Sequence, residues 1–160
     1  MAFGVADTGY PARLLFGFIA GFVATLIFHQ LTWWVLWGVG LAPSPAFSMV
    51  VTKPFGVPAV FSHAFWGGLW GIVFSMVHHR FPARSRYWVT AILFGAVLPT
   101  MTARLVVAPL KGLPMGSGWH LPFLLTALLA NGAWGIGTGL ILWILSGRSN
   151  RSRATSASAG

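Results

Sequence analysis

The stretch Ser62-His63-Ala64-Phe65-Trp66-Gly67-Gly68-Leu69-Trp70-Gly71-Ile72-Val73-Phe74-Ser75 places one ionisable ring and a Gly-x-x-x-Gly pair inside an uncharged apolar run. Small residues at 64, 67, 71 and 75 recur at helical spacing and share one face. In lipid no hydrophobic force draws helices together, and such a face lets a neighbouring backbone approach closely. The stretch therefore reads as a membrane helix packed tightly on others, with His63 at the edge of the small face and turned inward. A related pattern returns in Asn131-Gly132-Ala133-Trp134-Gly135-Ile136-Gly137-Thr138-Gly139, where Trp134, Gly135 and Gly139 match Trp66, Gly67 and Gly71.

Composition agrees. Of 160 residues, 56% are hydrophobic and only 7% charged, with a mean hydropathy of +0.77. Soluble domains carry about a quarter charged residues, so this is read as an integral membrane protein. Ten Lys and Arg stand against one acid, Asp7, for a net charge of +9. The bases flank apolar segments, so they orient the chain in a bilayer and do not mark a nucleic-acid partner. The absence of cysteine removes disulfides, thiolate metal sites, iron–sulfur ligation and thiol nucleophiles. The first apolar run is much longer than the core of a secretory signal, about 7 to 15 residues, and is expected to stay.

Taken in order, the chain is expected to form a cytoplasmic leader (1–13) and a four-helix transmembrane bundle (14–145, with spans near 14–38, 57–77, 87–108 and 121–145). A disordered basic tail (146–160) follows, since a span needs about 20 apolar residues and the tail has none to bury. The first span carries a small face through Gly17 and Gly21, then His29 and Gln30, then a belt of Trp33, Trp34 and Trp37. Residues 41–57 contain Pro43, Pro45 and Pro54, which forbid a regular helix and suit a cap on the bilayer surface. One side of this topology holds Arg13, Arg80, Arg84, Arg86, Arg148, Arg151 and Arg153. The other holds Lys53, Arg104 and Lys111. The excess of bases places both termini in the cytoplasm.

Leu15-Phe16-Gly17 and Leu93-Phe94-Gly95 open the first and third spans alike, so the four helices also read as two hairpins repeated in parallel. In that alignment His63 and Asn131 are equivalent. The packing glycines are Gly17, Gly21, Gly67, Gly71, Gly135 and Gly139.

The unusual polar groups fall in the outer half. His29, His63, Thr100, Arg104 and Asn131 form the candidate ligand site, because ionisable groups at membrane depth are costly unless paired or hydrated. Pro99 frees a carbonyl nearby. Each member also has a structural reading. Arg104 extends to headgroups, the histidines bond across helix contacts, Asn131 joins two helices, and His78 and His79 belong to the basic turn. The tryptophans are mostly interfacial anchors. With no carboxylate in the spans, cation-coupled transport is disfavoured. A neutral or anionic ligand remains, or proton sensing by histidine near its usual pKa of about 6.5. No nucleophile and base, carboxylate dyad or phosphate cradle is present, so no enzyme activity is expected. No metal site and no cofactor is called for. The alternatives are a bis-histidine haem b site on His29 and His63 and an accessory subunit of a membrane complex. Expected partners are membrane lipids and either further copies of the chain or other membrane subunits.

The Gly-rich first span, the histidine early in the second, Phe81-Pro82 after it, Gly95-Ala96 in the third and Pro109-Leu110-Lys111-Gly112-Leu113 closing it resemble the YagU-like family of small bacterial inner-membrane proteins. The resemblance covers about residues 13–146. It implies a multi-pass bacterial inner-membrane protein of a kind connected with acid survival. Where that family has histidine in the third and fourth helices, this chain has Thr or Arg and Asn131-Gly132, so shared histidine chemistry is not implied.

Overall fold

The computed structural model describes residues 9–53, 55–115 and 119–157, with side chains as far as residue 146. The leader through residue 8 and Ser117 therefore lie outside the described residues. Among the described residues, four helices are long and apolar enough to cross a membrane: Tyr10–Gly38, Ala59–Arg80, Ser85–Leu110 and Leu121–Ser146. They are called the first to fourth helix below. The fourth continues to Ala157, beyond the expected end at residue 145. Its Ser-, Arg- and Ala-rich extension contains no proline, and of the strong helix breakers only Gly147. The expected tail 146–160 is helical as far as residue 157, and its last three residues lie outside the described residues.

The small faces are where the helices meet. In the first pair, Gly17 lies against Gly71 and Ser75, and Gly21 against Gly67 and Gly71. In the second pair, Gly95 lies against Asn131 and Gly135, and Gly135 against the carbonyl of Ala91. Gly139 differs from the other packing glycines, since it faces the Tyr87 side chain and no backbone. The fourth helix touches all three others. It presses Gly137 against the Phe28 ring and donates the Trp134 indole Nε1–H to the Gly21 carbonyl at 2.9 Å. Trp134 is 2% exposed, so this tryptophan is a core hydrogen-bond donor and not an interfacial anchor. The second and third helices meet through Trp70, Phe74 and Phe94, with Phe74 at the centre of the aromatic core.

At the arginine end, Arg13 closes the second helix. Its guanidinium donates to the Ser75 and Met76 carbonyls at 2.8 Å each and to His79 Nδ1 at 2.9 Å. A cation there answers the orphan carbonyls and the negative end of the helix dipole. His78 does not share the exposed turn with His79. It is 3% exposed, stacked on Phe74, with Nδ1 3.3 Å from the Tyr87 hydroxyl.

At the other end, residues 41–47 fold over the first and fourth helices. The Trp33 indole donates to Ser44 O, the Phe47 amide to Gln30 Oε1, and the Thr126 hydroxyl to Leu41 O. A two-residue antiparallel ladder, β1 (Val51–Thr52) and β2 (Val57–Pro58), precedes the second helix. Gly56, at φ +66°, turns the chain between the two strands.

Two helices change pitch along their length. The first is α-helical over Tyr10–Ala24, π-helical over Thr25–His29 and α-helical again over Gln30–Gly38. The third is α-helical over Ser85–Thr102, π-helical over Ala103–Val107 and ends in Ala108–Leu110. Each π segment begins eight residues after the glycine of its Leu-Phe-Gly triplet. The helix–helix registers do not repeat in the same way. Gly71 and Gly139 are equivalent by sequence, yet Gly17 meets Gly71 whereas Gly95 meets Asn131 and Gly135.

Candidate functional site

The two π segments carry the two most unusual polar residues, His29 and Arg104. A π turn inserts one residue into the helical register and redirects the side chains around it, which is why such turns concentrate at functional sites. His29 is half-buried and stacks on Trp33 one turn on, with ring centroids 5.8 Å apart. Its Nδ1 is buried and has no hydrogen-bond partner among the described residues. Trp33 meets the Phe123 ring edge-on at 6.1 Å. The other partner of Phe123 is Arg104, whose guanidinium carbon stands 4.2 Å from the ring centroid. A continuous layer of rings thus joins the first, fourth and third helices, with an imidazole at one end and a guanidinium at the other.

Arg104 is 4% exposed. The face of the Phe123 ring supplies it with cation–π stabilisation. One turn earlier, buried Thr100 accepts a hydrogen bond from Asn131 Nδ2 at 2.9 Å. That bond ties the third and fourth helices together where Gly95 already meets Asn131. The Thr100 hydroxyl keeps its own proton to donate.

The structure pairs Thr100 with Asn131 one turn from Arg104, and links His29 to Arg104 only through the rings of Trp33 and Phe123. His63 stands apart. The buried face of the second helix runs through Val60, Ala64, Gly68 and Gly71, and position 63 falls outside it, so its ring is exposed and not turned inward. It remains within electrostatic reach of His29 and of Lys111. His29 is half-buried against Trp33, and His63 is exposed. No group of three His, Cys, Asp or Glu side chains among the described residues is placed to hold a metal ion.

Chemically the site is a set of donors. A guanidinium, an imidazole and a hydroxyl are arrayed in a chain with no acid except Asp7. Such a set takes an anion or the acceptor atoms of a neutral ligand and repels cations. Sequence reasoning missed Phe123 and the role of Trp33. The spacing from His29 to Trp33 is a legible stacking signal, whereas Phe123 comes from another helix and only tertiary packing reveals it. No family model, curated protein or solved structure matches the chain.

Proposed function

We propose that this is a non-enzymatic four-span protein of a bacterial inner membrane, with both termini cytoplasmic, that binds a small anion in its outer half. His29, Thr100, Arg104 and Asn131 are the ligand-facing residues. The observation that carries this reading is the burial of Arg104 against Phe123 inside the bundle. Desolvating a guanidinium costs several kcal/mol, and in a span such a group faces the bundle interior where it serves a ligand or a permeation path. Four helices are too few to enclose a path of their own, so transport would engage several copies.

The test is thermal unfolding of the purified protein against chloride, phosphate, acetate and sulfate at constant ionic strength. One of these is expected to raise the midpoint saturably, by linkage to the native state, at about 2.7 kcal/mol for a hundredfold excess over Kd. Arg104→Gln should abolish the shift, and Arg104→Lys, which keeps charge but loses the planar stack, should weaken it. Equal midpoints in every anion would sink the proposal. Protonation of His29 adds positive charge to the same site. Anion affinity is therefore expected to rise on acidification in the wild type and to flatten in His29→Gln, as read by the same titration at several pH values.

A further inference from the structure

The β-hairpin at the loop end is built unlike the rest of that loop. Residues 41–47 are tied inward to Gln30, Trp33 and Thr126, but Met49, Val50, Val51 and Phe55 are turned outward. Phe55 at the tip is 88% exposed and Val50 72%, and the charged residue among them is Lys53. A two-stranded hairpin with such a face is marginal in water. Here its backbone is bonded to the start of the second helix. The Val50 carbonyl accepts the Ala59 amide at 2.9 Å and the Ser48 carbonyl accepts the Val60 amide at 3.0 Å, so the hairpin caps the second helix with its own backbone. The Gly56 amide donates to Thr52 O and the Thr52 hydroxyl to Val57 O, which close the turn.

That attachment fixes the depth of the hairpin. The α-helical part of the second helix, Ala59–Val77, has 19 residues. At about 1.5 Å per residue it spans about 28 Å, close to the thickness of a hydrocarbon core of about 30 Å. With the basic turn at 78–80 in the headgroups, that length would put the first turn of the helix at the opposite boundary between headgroups and acyl chains, with the hairpin beside it. Strand addition by another chain is disfavoured on one side, because Pro58 in β2 lacks an amide proton.

We propose that the hairpin is an interfacial foot: Met49, Val50, Val51 and Phe55 sink into the headgroup–acyl boundary of the leaflet at the loop end, and Lys53 reaches its phosphates. The partner is a lipid surface, and the proposal rests on the membrane-spanning reading. Long cationic side chains and aromatic rings are the residues suited to that boundary.

The chain has no cysteine, so Phe55→Cys and Val50→Cys each carry a single environment-sensitive fluorophore. In proteoliposomes both labels are expected to be quenched at least twofold by lipid spin-labelled near the headgroup, and to be shielded from aqueous iodide. A label at Phe65→Cys, exposed on the second helix, serves as the reference and should be quenched by lipid spin-labelled in mid-chain. Quenching at 65 with free iodide access at 50 and 55 would overturn the foot and leave the span standing. Absence of lipid quenching at 65 would overturn the span, and the foot with it. Self-quenching between labels that grows with the protein-to-lipid ratio would make the occupant a second copy, and iodide shielding without lipid quenching or self-quenching would make it another protein; both overturn the proposal. Lys53→Glu in the labelled Phe55→Cys chain should reduce headgroup quenching in vesicles with anionic lipid and leave neutral vesicles unaffected. Equal quenching in both would overturn the part given to Lys53.

Discussion

A methyl group added at Gly21 would meet the Gly67 carbonyl and stand 2.8 Å from the Cα of Gly71. On its other side the Gly21 carbonyl already accepts the Thr25 hydroxyl and the Trp134 indole, each at 2.9 Å. Three helices converge on one residue, and backbone must move if it grows. Gly21→Ala is therefore expected to cost about 1–3 kcal/mol, the usual penalty of overpacking. Gly132→Ala, whose nearest contact would be the Ile92 methyl at 3.4 Å, is expected to leave stability unchanged. Thermal unfolding in detergent checks the pair, and equal midpoints would refute the junction. The spacing of Gly17, Gly21, Gly67 and Gly71 was legible in the sequence because period alone puts them on facing stripes. The burial of Trp134 and His78 was not. Each resembles its exposed neighbours by type, and only the packed structure shows the bare carbonyl or the aromatic shelf that receives it.

At the level of elements, the π segment Thr25–His29 sets the direction of everything beyond it. The π segment absorbs one extra residue, so deleting Ile27 would let an unbroken α-helix carry Gln30 in nearly its present direction. The hydrogen bond to the Phe47 amide and the Gly17 and Gly21 contacts should then persist. Hydrogen exchange is expected to stay slow across residues 15–22 and 41–48; acceleration in the loop would show that the π geometry itself, and not the register it keeps, positions Gln30. Long apolar runs disclosed the four helices to within a few residues at most of their ends. The π turns were invisible, since a one-residue insertion leaves composition and hydropathy untouched. The hairpin was missed because Val51–Thr52 and Val57–Pro58 are too short to show alternation. Thr100, Arg104, Asn131 and His29 could be singled out as candidates because polarity within an apolar run is legible in the sequence. His63 was misplaced because the buried stripe of the second helix passes beside it.

For the molecule as a whole, the second helix runs between the hairpin loop and the basic turn at 78–86 and so puts them at opposite ends. In intact cells a membrane-impermeant thiol reagent is expected to label Ser48→Cys but to reach Ser85→Cys only after permeabilisation. The reverse pattern would invert the proposed orientation.

The central place of the fourth helix also has a bearing on biosynthesis. The first two helices bring their own complementary faces and can pair as soon as both have been inserted. The third helix has most of its packed surface for the fourth, and the fourth leaves the ribosome after it. During that interval Gly95 and Arg104 lack the packing partners that cover them in the finished protein. A chain truncated before residue 121 should keep its first hairpin and present the third helix to quality-control proteases, so the yield of intact protein depends on how promptly the fourth helix arrives.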